Sequence, residues 1–415
     1  MADGVTVRHR RAIVTCARVL APCIRTETRM VYHLSDNRTR RSEGARGEDR
    51  HVLRRREFLG LAGAGMLAPG LAACGEQREP GVLYGRAVAQ APPRTPWDAQ
   101  WRNFERNIAV NESIDLDYFT KAELGDEERM LHDLRRGRVH VGGMSLQGLS
   151  SSIPELTIAM SPYLFSSQGE VDFVYDNYLF DIVDELAMAQ NLRLLQWVEV
   201  GWTHLYADRP LTHPDMAEGL RMRTSPNAAA RYFCEAAGMD AIPLGIADVV
   251  PALQTGLVQG GLSSTTFHFF STLELAAHFT LTYHSYDTGA IVLNKPWYER
   301  ATPSQKATID GAWGSSADAR AGVRGLTGTL LDAMRAGEIA TPEGGTRELR
   351  TVTGERIRVH TLTEAERAAW IARTENVIDR LIATIGGRSR EVYEQIQAGK
   401  AQYARLQAEA PEAAS

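Results

Sequence analysis

Cysteine is scarce in this sequence, and none of its cysteines lies in a metal-binding pattern. The four cysteines are Cys16, Cys23, Cys74 and Cys234, and none has the CxxC or cysteine–histidine spacing that is typical of zinc sites. The chain also lacks the HExxH and GxSxG motifs of zinc proteases and serine hydrolases. The sequence therefore predicts neither a metal site nor a cofactor, and it disfavours an enzyme.

Lysine is absent from the first 73 residues, which carry 14 arginines and 7 acidic residues. From Cys74 onward, 32 basic residues are outnumbered by 44 acidic ones, so this part has a net charge of −12. A body with that charge is not expected to bind nucleic acid through bulk electrostatics. If it binds an anion, a local arginine has to hold that anion.

Residues 54–74 read RRREFLGLAGAGMLAPGLAAC, a stretch too short and too rich in glycine for a stable membrane span. A basic start, a short apolar segment and small residues before the end are typical of an export signal. The arginines followed by Glu57-Phe58-Leu59 resemble a twin-arginine signal. Leu71-Ala72-Ala73-Cys74 resembles a lipobox, in which Cys74 is lipidated and becomes the first mature residue. An ordinary signal with an incidental cysteine is the alternative.

The signal divides the chain into segments. Residues 1–51 are arginine-rich and unpatterned, and we expect a non-native or disordered extension from a start site assigned too far upstream; a basic arm that binds nucleic acid is the alternative. Residues 52–73 are the predicted signal and 74–81 a flexible tether. Cys234 is then the cysteine left beyond the anchor, and its helical neighbours predict a buried structural thiol. We expect the mature protein in the periplasm or on the outer face of the cell membrane.

Helical and extended patterns alternate through the mature chain, which predicts an α/β fold. Trp97, Trp101, Phe104 and Ile108 share one helical face, and we interpret them as core. Asp126 is predicted to cap a helix that Gly137 ends. The pattern at 303–337 predicts one unusually long helix, and 386–415 predicts a charged helical tail.

Three groups of motifs together resemble the substrate-binding subunit of tripartite ATP-independent periplasmic (TRAP) transporters, known as the DctP family. They are LGDEERMLHDLRRG with VGGMSLQGLSSSIPEL, HPDMAEGLRMR with TSPNAAARYFCEAAGMDAIPLG, and DVVPALQTGLVQGG with LTYHSYDTGAIVLNKPWYE. The resemblance implies a two-lobed periplasmic-binding-protein-like fold with hinge strands and a long helix that crosses both lobes. Lobe one would hold 82–200 and 289–328, and lobe two 201–288 and 329–385. The implied partners are a small organic acid and the TRAP membrane subunits.

Arg223 is the residue that the resemblance implies for binding the ligand's carboxylate. A planar guanidinium matches a carboxylate with two parallel N–H bonds, which lysine cannot do. Thr224-Ser225-Pro226 follows, and we predict Ser225 as a helix cap with Pro226 in the first turn, so that Arg223 lies beside a helix N-terminus. Arg221 is the competitor on the same strand, and an ion pair with a surface acid is the structural alternative.

The chain departs from the family pattern at two places. Gly201-Trp202-Thr203 has Thr203 where many members carry a second arginine. Val258-Gln259-Gly260-Gly261-Leu262-Ser263-Ser264 stands where the family usually reads VDGQENP, and it loses the acid and the amides of that motif. These losses favour a monocarboxylate with an apolar or aromatic remainder. The secondary binding candidates, each with an equally good structural role, are Asp126, Ser145, Trp202, Thr203, Ser225 and Thr266.

The sequence thus predicts an extracytoplasmic solute receptor. A ligand sensor for a membrane kinase would use the same lobes and remains an alternative, and an exported enzyme is a less favoured one. Because the twin-arginine route admits proteins that fold around a cofactor, a bound metal ion stays open as an alternative to the metal-free prediction.

Overall fold

The computed structural model describes residues 79–341 and 344–409. The extension at 1–51, the signal at 52–73, the lipidation site Cys74 and most of the tether lie outside the described residues. Among the helices of the described ranges, none combines the length and apolar character needed to cross a bilayer.

Nine of the strands in the described ranges form one mixed sheet, in the order β2-β1-β3-β8-β4-β7-β5-β6 with β11 paired to β8, and β9 and β10 form a separate hairpin. The strands are β1 Leu83–Val88, β2 Ile114–Phe119, β3 Val141–Ser145, β4 Leu192–Ala207, β5 Arg221–Thr224, β6 Asp240–Pro243, β7 Gly260–Ser264, β8 His278–Asn294, β9 Glu338–Ala340, β10 Thr346–Glu348 and β11 Arg358–Thr361.

Helices cover both faces of this sheet, which confirms the predicted α/β class. In chain order they are α1 Pro96–Ile108, α2 Glu127–Arg135, α3 Leu146–Ser150, α4 Gln168–Val174, α5 Phe180–Met188, α6 Ala228–Ala236, α7 Ile246–Gln254, α8 Thr265–Phe267, α9 Lys295–Glu299, α10 Pro303–Ala312, α11 Ser316–Ala336, α12 Glu364–Thr374, α13 Val377–Ile385 and α14 Ser389–Glu409. Single 3-10 or π-helical turns form at Pro154–Met160, Tyr175–Leu179, Pro214–Ala217 and His268–Thr272.

The long strands β4 and β8 run antiparallel through the whole sheet and divide it into two halves. In what we call the first half, β1, β2 and β3 lie beside the C-terminal end of β8. In the second half, β7, β5 and β6 lie beside the end of β4, and β11 pairs with the start of β8. Gly201 in β4 pairs with Asp287 in β8 where the ladder shifts register, and Gly201 has φ +107°. Only glycine adopts this conformation readily, so the bend in β4 depends on it.

The aromatic face predicted for α1 is confirmed as core. Trp101, Phe104 and Ile108 are buried, and Trp101 meets Trp313 edge-on at 4.8 Å between ring centroids. Trp97 is partly buried and donates its indole N–H to the carbonyl of Glu199 in β4. This helix is therefore fixed to the middle of the sheet. Cys234 is also buried, as predicted, and burial raises the pKa of its thiol.

The ends of α2 follow the prediction. The Asp126 carboxylate accepts the Arg129 N–H, and Gly137 adopts φ +69° just after the helix ends. The prediction for α6 was wrong, because Asn227 and not Ser225 caps that helix. The Asn227 side chain accepts the Ala230 N–H, and the first helical residue is Ala228. Ser225 lies in the segment between β5 and α6, two residues before the cap, and its carbonyl accepts the Asn227 N–H.

The single long helix predicted from 303 to 337 was also wrong in detail. It is broken into α10 and α11 at Gly314, which has φ +77°, and Ser315 then caps α11 by accepting the Asp318 N–H. The left-handed glycine ends α10, and the serine starts a new helix axis. The 21-residue α11 contacts α1 in the first half and β11 in the second, so it does cross both halves.

A buried cluster of charges fixes α11 to the hinge strands. Arg324 in α11 binds both carboxylate oxygens of Asp172 at 2.7 Å and reaches Glu199 of β4 at 3.1 Å. The Tyr286 hydroxyl of β8 donates to Glu199 as well. One turn earlier, Arg320 makes a two-pronged pair with Asp176. Because Glu199 is almost fully buried, Arg324 is the cation that makes its charge tolerable.

Replacing Arg324 by alanine is expected to lower the free energy of unfolding by about 3 kcal/mol, because Glu199 would stay buried without its cation. The matched control is Arg335→Ala on the same helix, where an exposed arginine pairs with exposed Asp332, and we expect a loss below about 0.5 kcal/mol. Urea unfolding followed by tryptophan fluorescence measures both. Equal losses would show that the cluster contributes no more than a surface ion pair.

Candidate functional site

A pocket opens between the two halves, beside the point where Gly201 and Asp287 pair. The empty space along its lining, including the part that is open to solvent, is about 400 Å³. The first half contributes residues of α3 and the following turn, the second half contributes α6 and the ends of its strands, and β8 forms the floor. The lining residues are Gln147, Met160, Pro162, Thr203, Ser225, Asn227, Ala229, Ala230, Phe233, Leu262, His284, Ser285 and Asp287.

Arg223, in the short strand β5, points its guanidinium at backbone oxygens. Its Nε and Nη2 donate to the carbonyl of Leu244 at 3.1 and 2.9 Å, and its Nη1 donates to the carbonyl of Leu262 at 3.4 Å. The ring of Phe267 lies 5.9 Å from the guanidinium carbon. Arg223 is not itself a lining residue, but it is bonded to one, Leu262.

The charge of Arg223 is buried without a carboxylate partner. Its side chain is 4% exposed, and no Asp or Glu oxygen of the described residues lies within 4.0 Å of its nitrogens. Burial accordingly lowers the pKa of this arginine. Three of its five N–H groups are used, which leaves one on Nη1 and one on Nη2. The group is therefore a buried cation with two donors still available.

Asp287 is the one carboxylate among the lining residues. Its Oδ2 accepts the amide N–H of Gln147 at 2.6 Å, whereas its Oδ1 is buried without a hydrogen-bond partner. Burial, and next the charge of Glu127, raises the pKa of this carboxyl to about 8. The pKa of Glu127 is itself raised by burial, although Ser145 donates to it and opposes the rise.

The histidines near the pocket are neutral. Burial lowers the pKa of His284 and of His268 to about 3 and lowers that of His204 well below its usual range. His284 lies parallel to the ring of Phe233 with 4.0 Å between centroids, and its Nδ1 is 2.7 Å from the Thr282 hydroxyl. In the ranges that the structure describes, no group of three or more His, Cys, Asp or Glu is placed to hold a metal ion.

Two aromatic residues with left-handed backbone flank the pocket. Tyr163 has φ +53° and Tyr283 has φ +48°, a conformation that bulky residues rarely adopt. The N–H of Tyr163 donates to the carbonyl of His284, which ties the first half to β8 beside the pocket. Strain of this kind persists where surrounding contacts impose it, often at functional sites.

The predicted secondary residues are placed differently from one another. Thr203 and Ser225 line the pocket, whereas Asp126, Ser145, Trp202 and Thr266 do not. Asp126 and Ser145 cap α2 and α3. Trp202 packs edge-on against Tyr283 and Tyr286, and Thr266 is buried with an unpartnered hydroxyl.

The polar lining residues Gln147, Asn227, His284 and Asp287 were missing from the sequence prediction. For Asp287 a signal existed, since it is the lone carboxylate in the buried strand HFTLTYHSYDTGAIVLN. A charged side chain in such a strand has to meet a partner or a ligand. No comparable signal marked Gln147, a neutral polar residue in the short helix α3.

A family model for bacterial extracellular solute-binding protein, family 7 (DctP), matches residues 87–322. Among curated proteins, the chain is 23% identical over 341 residues to the C4-dicarboxylate-binding periplasmic protein DctP of Rhodobacter capsulatus, a match that covers 81% of this chain and 97% of that protein.

Solved structures with the same fold include two TRAP solute-binding proteins. The periplasmic ectoine-binding protein of the TeaABC TRAP-transporter of Halomonas elongata has a TM-score of 0.68 at 21% identity, over 77% of this chain and 99% of that one. A TRAP periplasmic solute-binding protein of Roseobacter denitrificans with bound β-D-glucuronate has a TM-score of 0.67 at 19% identity, over 76% and 99%.

The protein without ligand is expected to lose stability as the pH rises from about 4 to about 8. The Asp287 carboxyl has a usual pKa of 3.8 and a folded pKa of about 8, so the folded state holds this proton more tightly. Its contribution to stability is present at low pH and disappears as the pH passes about 8. Glu127 acts in the same direction, and Tyr175 is a further titratable neighbour.

Asp287→Asn cannot ionise, so this variant should show a flatter pH dependence and should melt above the wild type at about pH 9. Thermal unfolding across this pH range measures the effect, with Asp332→Asn, an exposed position on α11, as the control. A variant that melts below the wild type at high pH would contradict the assignment.

Proposed function

The chain belongs to the bacterial extracellular solute-binding proteins of family 7 (DctP), and on that premise we propose that it is the solute receptor of a TRAP transporter. It binds a small organic acid in the pocket between the two halves and delivers it to the membrane subunits of the transporter. The relatives that are named for C4-dicarboxylates and ectoine, and the one with bound glucuronate, support the organic-acid class.

The observation that carries the proposal is the buried, unpaired charge of Arg223. A buried cation is costly unless an anion and hydrogen bonds compensate it. Backbone carbonyls already accept one N–H from each of the three guanidinium nitrogens. One N–H group on Nη1 and one on Nη2 remain. A carboxylate that approaches this end would receive two hydrogen bonds and supply the missing negative charge.

Of the secondary candidates, we retain Thr203 and Ser225 as ligand contacts because they line the pocket. Thr203 lies between Ser264 and Ser285 in the strand ladder, so its position is fixed by the backbone on both sides. Asp126, Ser145 and Trp202 make structural contacts that account for them. We keep Thr266 as a further candidate ligand contact, because its buried hydroxyl has no hydrogen-bond partner.

We place the hinge at Gly201 and Asp287, with the lobes at 82–200 plus 289–328 and 201–288 plus 329–385. Support comes from the pairing of these two residues at a register shift in the only strands of the described sheet that serve both halves. In the mechanism, the open receptor samples closure, and the ligand stabilises the closed form because it contacts both lobes there. The closed shape then docks on the membrane subunits.

Export by a twin-arginine signal and a lipid anchor on Cys74 complete the proposal. The family consists of extracellular solute-binding proteins, which agrees with export across the membrane. A single tether of a few residues would keep the receptor close to its membrane partner. The anchor keeps the effective concentration of the receptor high at the transporter.

Cys74→Ser is expected to release the protein from the membrane fraction into the soluble periplasmic fraction, because the residue that would carry the lipid is gone. Fractionation of cells that express either form, followed by mass spectrometry of the N-terminal peptide, measures this. Cys234→Ser, at a buried thiol, is the control and should leave the distribution unchanged. A wild-type protein found in the soluble fraction would contradict the anchor.

A thermal-shift screen of organic acids is expected to find ligands that raise the melting temperature. For the best of them, Arg223→Lys should weaken binding by at least about 30-fold, since lysine keeps the charge but loses the fork. The matched control is Arg221→Lys, because Arg221 lies on the same strand and also donates to backbone carbonyls but is exposed. Unchanged affinity in Arg223→Lys would overturn the carboxylate clamp.

A further inference from the structure

The Asp287 carboxylate is built into the pocket with one oxygen left unused. Its Oδ2 is held by Gln147 at 2.6 Å, and its Oδ1 faces no donor although the side chain is almost fully buried. Buried carboxylate oxygens are normally hydrogen-bonded. Because Asp287 lines the pocket, a bound solute can supply the missing partner once it reaches Oδ1, which has almost no solvent-accessible surface in this structure.

Most of the other polar lining side chains carry a group that can donate a hydrogen bond to a solute. Gln147 and Asn227 carry amide N–H groups and Thr203 and Ser225 carry hydroxyls, whereas the Ser285 hydroxyl already donates to the carbonyl of Met160. Asp287 holds a proton in the empty site, because burial raises its pKa to about 8, and it becomes a pure acceptor when the bound solute favours its ionised form. Acceptor groups of a solute thus find donors over much of the lining, whereas at Asp287 a donor is required. A second solute carboxylate in that place would put two like charges together in a buried site.

Resting on the proposed function, we propose that Asp287 is a ligand-binding residue, and that the solute carries, besides the carboxylate held by Arg223, an O–H or N–H group that donates to Asp287 Oδ1. The solute class is then a hydroxy acid or a zwitterion, and not a plain dicarboxylate. It also differs from the apolar monocarboxylate that the sequence favoured, because that expectation rested on Thr203 and on residues 258–264 and did not consider Gln147, Asn227 and Asp287 as lining residues.

The position of Asp287 connects this contact to closure. The residue lies in β8 opposite Gly201, where the two halves meet, and its side chain reaches to Gln147 in the first half. A solute that binds Arg223 of the second half and Asp287 with its Gln147 partner contacts both sides of the pocket. The donor group therefore adds to the stability of the closed form.

A hydroxyl and a protonated nitrogen differ in what they do to the proton on Asp287. The titratable neighbours are Glu127, Tyr175 and His284, and burial together with Glu127 favours the protonated carboxyl in the empty site. A cationic nitrogen stabilises the carboxylate and releases that proton, whereas a neutral hydroxyl does not require its release. Calorimetric titration in two buffers with different ionisation enthalpies separates these cases.

The test uses three probes on the purified protein: succinate, which has no donor beyond its acid groups, D-glucuronate, which has hydroxyls, and ectoine, which has N–H groups. We expect D-glucuronate or ectoine to bind at least about tenfold more tightly than succinate. For the tighter probe, Asp287→Asn and Asp287→Ala should each weaken binding by at least about tenfold, and Asp332→Asn should not. An asparagine side chain has one acceptor oxygen for two donors, the Gln147 amide and the solute group, and an alanine side chain has no acceptor.

Melting temperatures separate a binding role from a structural one. A structural Asp287 would lower both stability and affinity when replaced, whereas we expect Asp287→Asn to melt at or above the wild type while it binds more weakly. Succinate binding as tightly as the other two probes overturns the inference, as does binding that strengthens with falling pH, which would show Asp287 donating a proton. If the Asp287 variants bind normally while Arg223→Lys does not, this inference fails and the proposed function stands.

Discussion

The antiparallel ladder between Leu192–Ala207 and His278–Asn294 holds the two halves of the molecule together, and the other features depend on it. It runs from one half to the other with register shifts between Leu194 and Gln196, between Glu199 and Gly201, and between Thr203 and Leu205. In the hinge proposed above, the ladder keeps the halves aligned while the bend at Gly201 concentrates the motion at one level of the sheet. Glu199, two residues from the bend, is held by Arg324, so α11 restrains the same level from outside.

The pocket lies at this level and contains or adjoins two buried charges that the fold alone does not satisfy. Arg223 donates to backbone carbonyls but has no anionic partner. Asp287 accepts one hydrogen bond from an amide, and its other carboxylate oxygen has no hydrogen-bond partner. Burial disfavours the charged form of both, which lowers the pKa of the arginine and raises that of the aspartate. Neither arrangement maximises stability. Such costs are expected where a structure is shaped for a ligand, and they contrast with Arg324, whose charge is fully paired within the protein.

Features that depend on neighbours within one helical turn could be predicted from the sequence. Asp126 and Gly137 mark the ends of α2 because capping acts locally. The choice between Ser225 and Asn227 was missed, since both residue types cap well and Pro226 is compatible with a cap at Ser225, so these three residues alone do not decide between them. The break at Gly314 was missed because the apolar pattern continues across it. The partnership of Gln147 and Asp287 spans 140 positions and depends on strand register, which local patterns do not encode.

The C-terminal helix α14 packs on the first half, where Lys400 reaches the carbonyl of Leu164 and the carboxylate of Glu170, and Tyr403 meets Phe173. In the closure proposed above, its exposed end would move with that half. A fluorophore attached there, with a second one on α6 of the other half, would report closure as a change in energy transfer. The protein thus carries a built-in attachment point for a solute biosensor that leaves the pocket untouched.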